Sequence, residues 1–226
     1  MMVLAVALAP VVALAVYIYW KDKFDPEPRS MLWKAFFLGV LSIIPAIILE
    51  MIAKSLGWHQ SDTLWRAFVH AFIGVALIEE ASKQFMVQRF MLKKKYFDEP
   101  FDGITYAVMV SLGFAALENV LYSLQHGMGV AIMRAFTAVP AHTTFGIVMG
   151  YFLGMYKFSG KRRHIYMALG SATVLHGAYD FFLIQEYNRD IALLGAVVSL
   201  VISIWLSFKA IKIHQKNSPF NPANGS

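Results

Sequence analysis

Two adjacent glutamates and a lysine, Glu79-Glu80-Ala81-Ser82-Lys83, interrupt a mainly apolar stretch that begins at Ala67. On a helix Lys83 stands at i+4 from Glu79 and at i+3 from Glu80, so either carboxylate reaches it. A charge near a bilayer centre costs roughly 2.5–3.5 kcal/mol on insertion scales, so three in one turn need a reason, and that reason is usually function. Further polar groups sit in other apolar runs: Glu118 with Asn119, His142, and His176 with Asp180. Several chemistries suit such a set. A glutamate can activate water for hydrolysis while a histidine or Asn119 donates to the developing oxyanion. Two histidines and a carboxylate also match a zinc ligand set with one open position, which makes His142, His176 and Glu118 the candidate metal ligands. Their spacing is not that of the helical HExxH motif, so zinc rests on residue types alone. Carboxylates, a lysine and histidines at the midplane would equally serve a proton- or cation-coupled transporter. The plainest alternative is a structural ion pair holding helices together.

Such groups need helices to position them. Of the 226 residues, 58% are hydrophobic and only 15% charged, where a soluble domain carries roughly 25% charged residues. The expectation is an all-α, polytopic transmembrane bundle of about seven spans, near 2–20, 32–53, 65–90, 103–125, 131–156, 164–186 and 191–209. One membrane-embedded domain over 1–216 leaves 217–226 as a disordered tail. The first segment lacks a basic residue ahead of its apolar run, which favours a retained helix over a leader. Lys21, Lys23, Arg29 and Lys34 follow the first segment, Arg89 and Lys93 to Lys95 the third, Lys157 and Lys161 to Arg163 the fifth, and Lys209, Lys212 and Lys216 the seventh. The opposite side receives only Lys54, Arg66, Arg134 and Arg189. Positive-inside asymmetry then sets the amino terminus outside and the carboxyl terminus in the cytoplasm, provided the charged third segment crosses. The net charge of +6 reports this topology, since its scatter over separate loops argues against nucleic-acid binding. The absence of cysteine removes disulfides, thiolate metal sites and cysteine nucleophiles together.

At about 1.5 Å of rise per residue, Glu79 falls roughly 20 Å below the outer end of its span and Glu118 about 10 Å below its own, with His142 and His176 between midplane and outer surface. All can meet at one depth. Gly146, Gly150 and Gly154 continue the i, i+4 row begun by His142, and Gly103, Ala107, Ser111 and Ala115 lead towards Asn119; small residues at this spacing mark close helix contact. His70, nine residues before Glu79, faces about 180° away on a regular helix and stays outside the expected site.

With these residues in view, the chain resembles the PrsW family. The resemblance rests on Glu79-Glu80-Ala81-Ser82-Lys83, Phe97-Asp98-Glu99-Pro100-Phe101-Asp102-Gly103-Ile104, Gly113 to Asn119, and His176-Gly177-Ala178-Tyr179-Asp180. The early loop Lys21 to Pro28 is similar too. It implies a multi-pass cell-membrane endopeptidase, distantly similar to CAAX prenyl and bacteriocin-processing enzymes. Its partners would be the lipid bilayer and a single-span membrane protein substrate, an anti-sigma factor that it cuts first, on the extracytoplasmic side. It matches Glu79 and Glu80 to the paired glutamates, Lys83 to their basic partner, Glu118 to the second motif, His142 to the third and His176 to the fourth. The CAAX-type pattern differs in placing histidine at the position of Glu118 and asparagine at that of Asp180. The resulting expectation is that Glu79 or Glu80 activates water, and His142 and His176 position it or bind a metal. Asn119 with His176 would stabilise the oxyanion, Glu118 would orient a histidine or complete a metal shell, and Lys83 would balance charge. A zinc cofactor and a metal-free glutamate mechanism both stay open, as does the choice between the two glutamates.

Overall fold

The computed structural model describes residues 2–224. Among them the regular structure is helical throughout: α1 (Met2–Lys21), α2 (Arg29–Ser55), α3 (Leu64–Val69), a π-helical segment (His70–Ala76), α4 (Leu77–Phe90), α5 (Phe101–His126), α6 (Met128–Phe136), α7 (Ala138–Ser159), α8 (Arg163–Ile184) and α9 (Arg189–Lys216). Among the described residues six stretches are long and apolar enough to cross a membrane: α1, α2, α5, the α6–α7 run, α8 and α9. The charged run 64–90 packs among them against α2, α5 and α8. The all-α polytopic bundle is therefore as expected, and each expected segment finds its helix within a few residues at most ends. α9 runs further, to Lys216, and the fifth segment breaks at Thr137 into a short α6 and a long α7.

The burial pattern explains the arrangement. α5 is buried without interruption from Phe101 to Ala116 and is wrapped by α1, α2 and α7. The outer helices expose apolar rows such as Val12 and Val16 on α1, Trp33, Phe37 and Ile44 on α2, and Val197, Val201 and Trp205 on α9. Lipid chains cover such faces. Because hydrocarbon is as apolar as leucine, packing and not water exclusion must hold the inner helices, and small residues let backbones approach. The two small-residue rows do meet each other. A Cβ at Gly103 or Gly150 would collide with the other's backbone carbonyl, one at Gly154 with the Pro100 carbonyl, and one at Gly146 with Ser111 and the Ala107 carbonyl. Backbone cannot yield as a side chain can. Gly150→Leu is therefore expected to cost more stability than the ~1–3 kcal/mol of ordinary overpacking, read as a lower thermal unfolding midpoint with activity lost alongside it. Gly160, which ends α7 at φ +67°, faces open space.

At the end of the bundle carrying most lysines and arginines, the α1–α2 loop tucks beneath α5. Thr105 donates to Asp22 (3.3 Å) and the Tyr106 hydroxyl donates to Glu27. Burial pushes the Asp22 carboxyl up to about 7 and that of Glu27 up to about 8. Of the expected tail, 217–224 is described. Pro222–Asn224 form a 3-10 turn, and Asn221 and Asn224 donate to the Gln215 and Lys216 carbonyls. Residues 225 and 226 lie outside the described residues.

Candidate active site

Lys83 is the centre around which the buried groups gather. Its Nζ donates to Glu79 Oε2 (3.0 Å) and Glu80 Oε1 (2.8 Å), contacts His142 Nδ1 at 3.2 Å, and lies 4.1 Å from the centre of the Phe114 ring. The helix spacing of the motif supplies the two carboxylates, and α7 supplies the imidazole. His142 Nε2 then meets Glu118 Oε2 of α5 at 2.9 Å. A neutral imidazole has one N–H and one lone pair, so this pattern fixes the tautomer: Nδ1 accepts from the ammonium and Nε2–H donates to Glu118. His176 of α8 is held differently. Its Nδ1 lies 2.9 Å from Glu80 Oε1 and its Nε2 3.1 Å from Asp180 Oδ2, carboxylates on both sides. Two carboxylate acceptors ask for two N–H donors, which describes an imidazolium. The ring stacks on Phe145 at 4.9 Å and meets His142 edge-on at 5.1 Å.

These groups edge a cavity of about 510 Å³ between α2, the π-segment, α4, α5, α6, α7 and α8. It lies in the half of the bundle that ends in the loops around 56–63 and 185–188, opposite the basic loops. Glu79, Glu118, His142 and His176 all line it, together with Phe114, Arg134, Tyr179 and Asp180. Glu80 does not. It is fully buried behind His176 and Lys83, whereas Glu79 gives Oε2 to Lys83 and is on the cavity wall. Lys83 lies almost evenly between the adjacent glutamates in helical angle, yet their surroundings differ: Glu79 faces the cavity, and Glu80 braces the two cations beside it.

Two expectations need correction. Asn119 is not placed to donate to an oxyanion. Its Nδ2 donates to the Ala7 carbonyl of α1 (2.8 Å) and its Oδ1 accepts from Arg134 Nε (3.0 Å), so the amide ties α1 and α6 to α5. His70, excluded on helical spacing, lies on the cavity wall. The reason is the π-segment His70–Ala76. With i→i+5 bonding each residue turns by roughly 80° instead of 100°, and over its length the lag is about a third of a turn, bringing His70 towards the Glu79 face. Arg134 is the participant that sequence reasoning counts only as an outer-side charge at the start of the fifth segment. It donates from Nη2 to Glu118 (2.8 Å) and so shares that carboxylate with His142. The break at Thr137 between α6 and α7 is what folds Arg134 back, eight residues before His142.

A family profile described as "PrsW family intramembrane metalloprotease" matches residues 27–207. The chain belongs to the PrsW family. It is 39% identical over 185 residues to "Protease PrsW" of Geobacillus kaustophilus (strain HTA426), covering 81% of this chain and 80% of that one. The Bacillus subtilis (strain 168) "Protease PrsW" is 35% identical over 189 residues, covering 82% and 84%. That of Clostridioides difficile (strain 630) is 34% identical over 209 residues, covering 88% and 85%. No solved structure matches. As a PrsW protein the chain is a peptidase of the cell membrane, multi-pass, as its helices require.

The description of the PrsW family implies a metal, and the donors can be tested against one. Glu79, Glu80, His142 and His176 each bring one ligand atom to within 4.8 Å of the others, a set of the right types for zinc. Three of those four donors, however, already surround the Lys83 ammonium at 2.8–3.2 Å. As the side chains stand, the set holds a protein cation in the place of an ion. An ion on those three atoms requires Lys83 to swing away, and Glu79, Glu80, His142 and His176 would then hold it.

Proposed function

We propose that this PrsW protein makes the first, extracytoplasmic cut in a single-span anti-sigma factor, with Glu79 as the base that activates water. The observation that carries this reading is the asymmetry of the glutamate pair: one carboxylate on a cavity wall beside two imidazoles, the other buried as their brace. Water held at Glu79 loses a proton to the carboxylate as its oxygen bonds to the scissile carbonyl carbon. His176, an imidazolium whose two N–H groups go to Glu80 and Asp180, sets a positive charge beside the cavity that stabilises the tetrahedral oxyanion through its field. Collapse breaks the C–N bond, and the proton on Glu79 passes to the leaving amine. His142, with Nδ1 taken by Lys83 and Nε2–H given to Glu118, links the Lys83 ammonium to the Glu118 carboxylate on the cavity wall, and Glu118 acts through His142 and Arg134. Lys83 keeps two adjacent carboxylates tolerable at this depth. The extracytoplasmic side follows from charge: the cavity lies in the half of the bundle away from the basic loops, and those loops belong in the cytoplasm.

The test is co-reconstitution in liposomes with a single-span anti-sigma factor, reading the cut position by mass. One new carboxyl terminus on the extracytoplasmic side of the substrate's span is expected. Substrate-dependent proton or cation flux with no cleaved product would instead identify a transporter.

A further inference from the structure

Two of the motifs that carry the resemblance, the loop Lys21 to Pro28 and the run Phe97 to Ile104, contribute nothing to the catalytic cavity. They converge on each other. Asp22 and Glu99 are 1% exposed and Asp102 is fully buried, and each brings one carboxylate oxygen to within 4.8 Å of the other two. We propose that Asp22, Glu99 and Asp102 bind a hard divalent cation of the calcium and magnesium class, at the end of the bundle away from catalysis.

The hydrogen bonding of the cluster leaves a place for it. Asp22 Oδ2 accepts from the Glu27 N–H (3.2 Å) and from Thr105 (3.3 Å), and Asp102 Oδ2 accepts from the N–H groups of Asp98 and Glu99 (2.8 Å each). Asp22 Oδ1, Asp102 Oδ1 and Glu99 Oε2 are buried with no partner. Buried carboxylate oxygens are costly when unpaired, and three together repel. No side-chain cation relieves them: among the described residues the ion pairs formed by lysine, arginine and histidine all lie elsewhere. The donors are oxygens alone, which selects calcium, magnesium or manganese over zinc or copper. The spacing is compatible with such an ion: oxygens sharing one calcium at about 2.3–2.6 Å stand at most about 5 Å apart, and these three lie within 4.8 Å of one another.

The ion would join the α1–α2 loop, the α4–α5 loop and the first turn of α5. Asp102 precedes Glu118 by sixteen residues on α5, roughly 24 Å along the axis, so the site is separate from the catalytic donors.

The test uses the full chain in detergent. Thermal unfolding midpoints are compared in chelator and in millimolar calcium, magnesium or manganese, for the wild type, for His176→Ala, and for Asp22→Asn combined with Glu99→Gln. The wild type and His176→Ala are expected to gain about 5 °C or more with calcium, and the double variant to lose that response. Equilibrium dialysis of radioactive calcium should find one ion per chain in the His176→Ala protein and at least tenfold weaker binding once Asp22→Asn is added. A midpoint that no cation moves, a response that survives in the double variant, or no calcium bound to the His176→Ala protein would overturn the proposal. The carboxyls would then be neutralised by protons alone.

Discussion

Glu79→Gln is expected to slow substrate cleavage by roughly 10²–10⁴-fold, the range over which a positioned general base contributes, while the unfolding midpoint stays near that of the wild type. Glutamine keeps the shape of the side chain and an oxygen that can still accept from Lys83, now 3.0 Å from Glu79 Oε2. Only the ability to take a proton from water disappears. Glu80→Gln should behave differently, losing activity and stability together. Glu80 Oε1 is shared by Lys83 at 2.8 Å and His176 at 2.9 Å, and removing its charge leaves two buried cations with less compensation. The separation is measured by rate and midpoint on the same preparations. Equal midpoint losses in both variants would place the two carboxylates in one structural role and leave the base unassigned.

Lys83→Met is expected to cost about 3–5 kcal/mol of stability, because it strips the shared partner from two buried carboxylates in one step. Glu80 is 0% exposed, so water cannot take over from the ammonium there, and Glu79, at 6% exposed, meets only the water of the cavity. Adding Glu80→Gln to Lys83→Met should return part of the loss, since it deletes one of the stranded charges. A double-mutant cycle should therefore show coupling of about 0.5–3 kcal/mol, read from denaturant unfolding in mild detergent. The same variant addresses the metal. If an ion, and not Lys83, balanced these donors, Lys83→Met would leave stability intact and chelator would lower it.

The apolar runs made the bundle legible, and the basic loops made its alternation consistent, because span length and hydrophobicity depend on residue type alone. The partnership of Glu79, Glu80 and Lys83 was legible too, since i+3 and i+4 neighbours share a face on any helix. What lay beyond reach was set by backbone departures from regularity. The π-segment at His70–Ala76 changes the winding just before the glutamates, which no count in steps of 100° detects. The kink at Thr137 sends Arg134 to Glu118, although its sequence position reads only as a topology charge near the outer end of a span. Asn119 could be placed beside the site but not given its partner, since the Ala7 carbonyl belongs to a helix more than a hundred residues away. Glu79 and Glu80 separate only when the neighbouring helices close behind one of them. The convergence of Asp22 with Glu99 and Asp102 is likewise a long-range fact, although both runs stood out in the sequence.

The most direct measurement is a single turnover in ¹⁸O-labelled water, with enzyme in excess over a co-reconstituted single-span substrate and mass analysis of both proteins. With Glu79 acting on water, one labelled oxygen appears in the new carboxyl terminus of the substrate and none in Glu79. Label found in the Glu79 carboxylate, with an unlabelled product terminus, would show attack by the carboxylate itself and contradict water activation at this site.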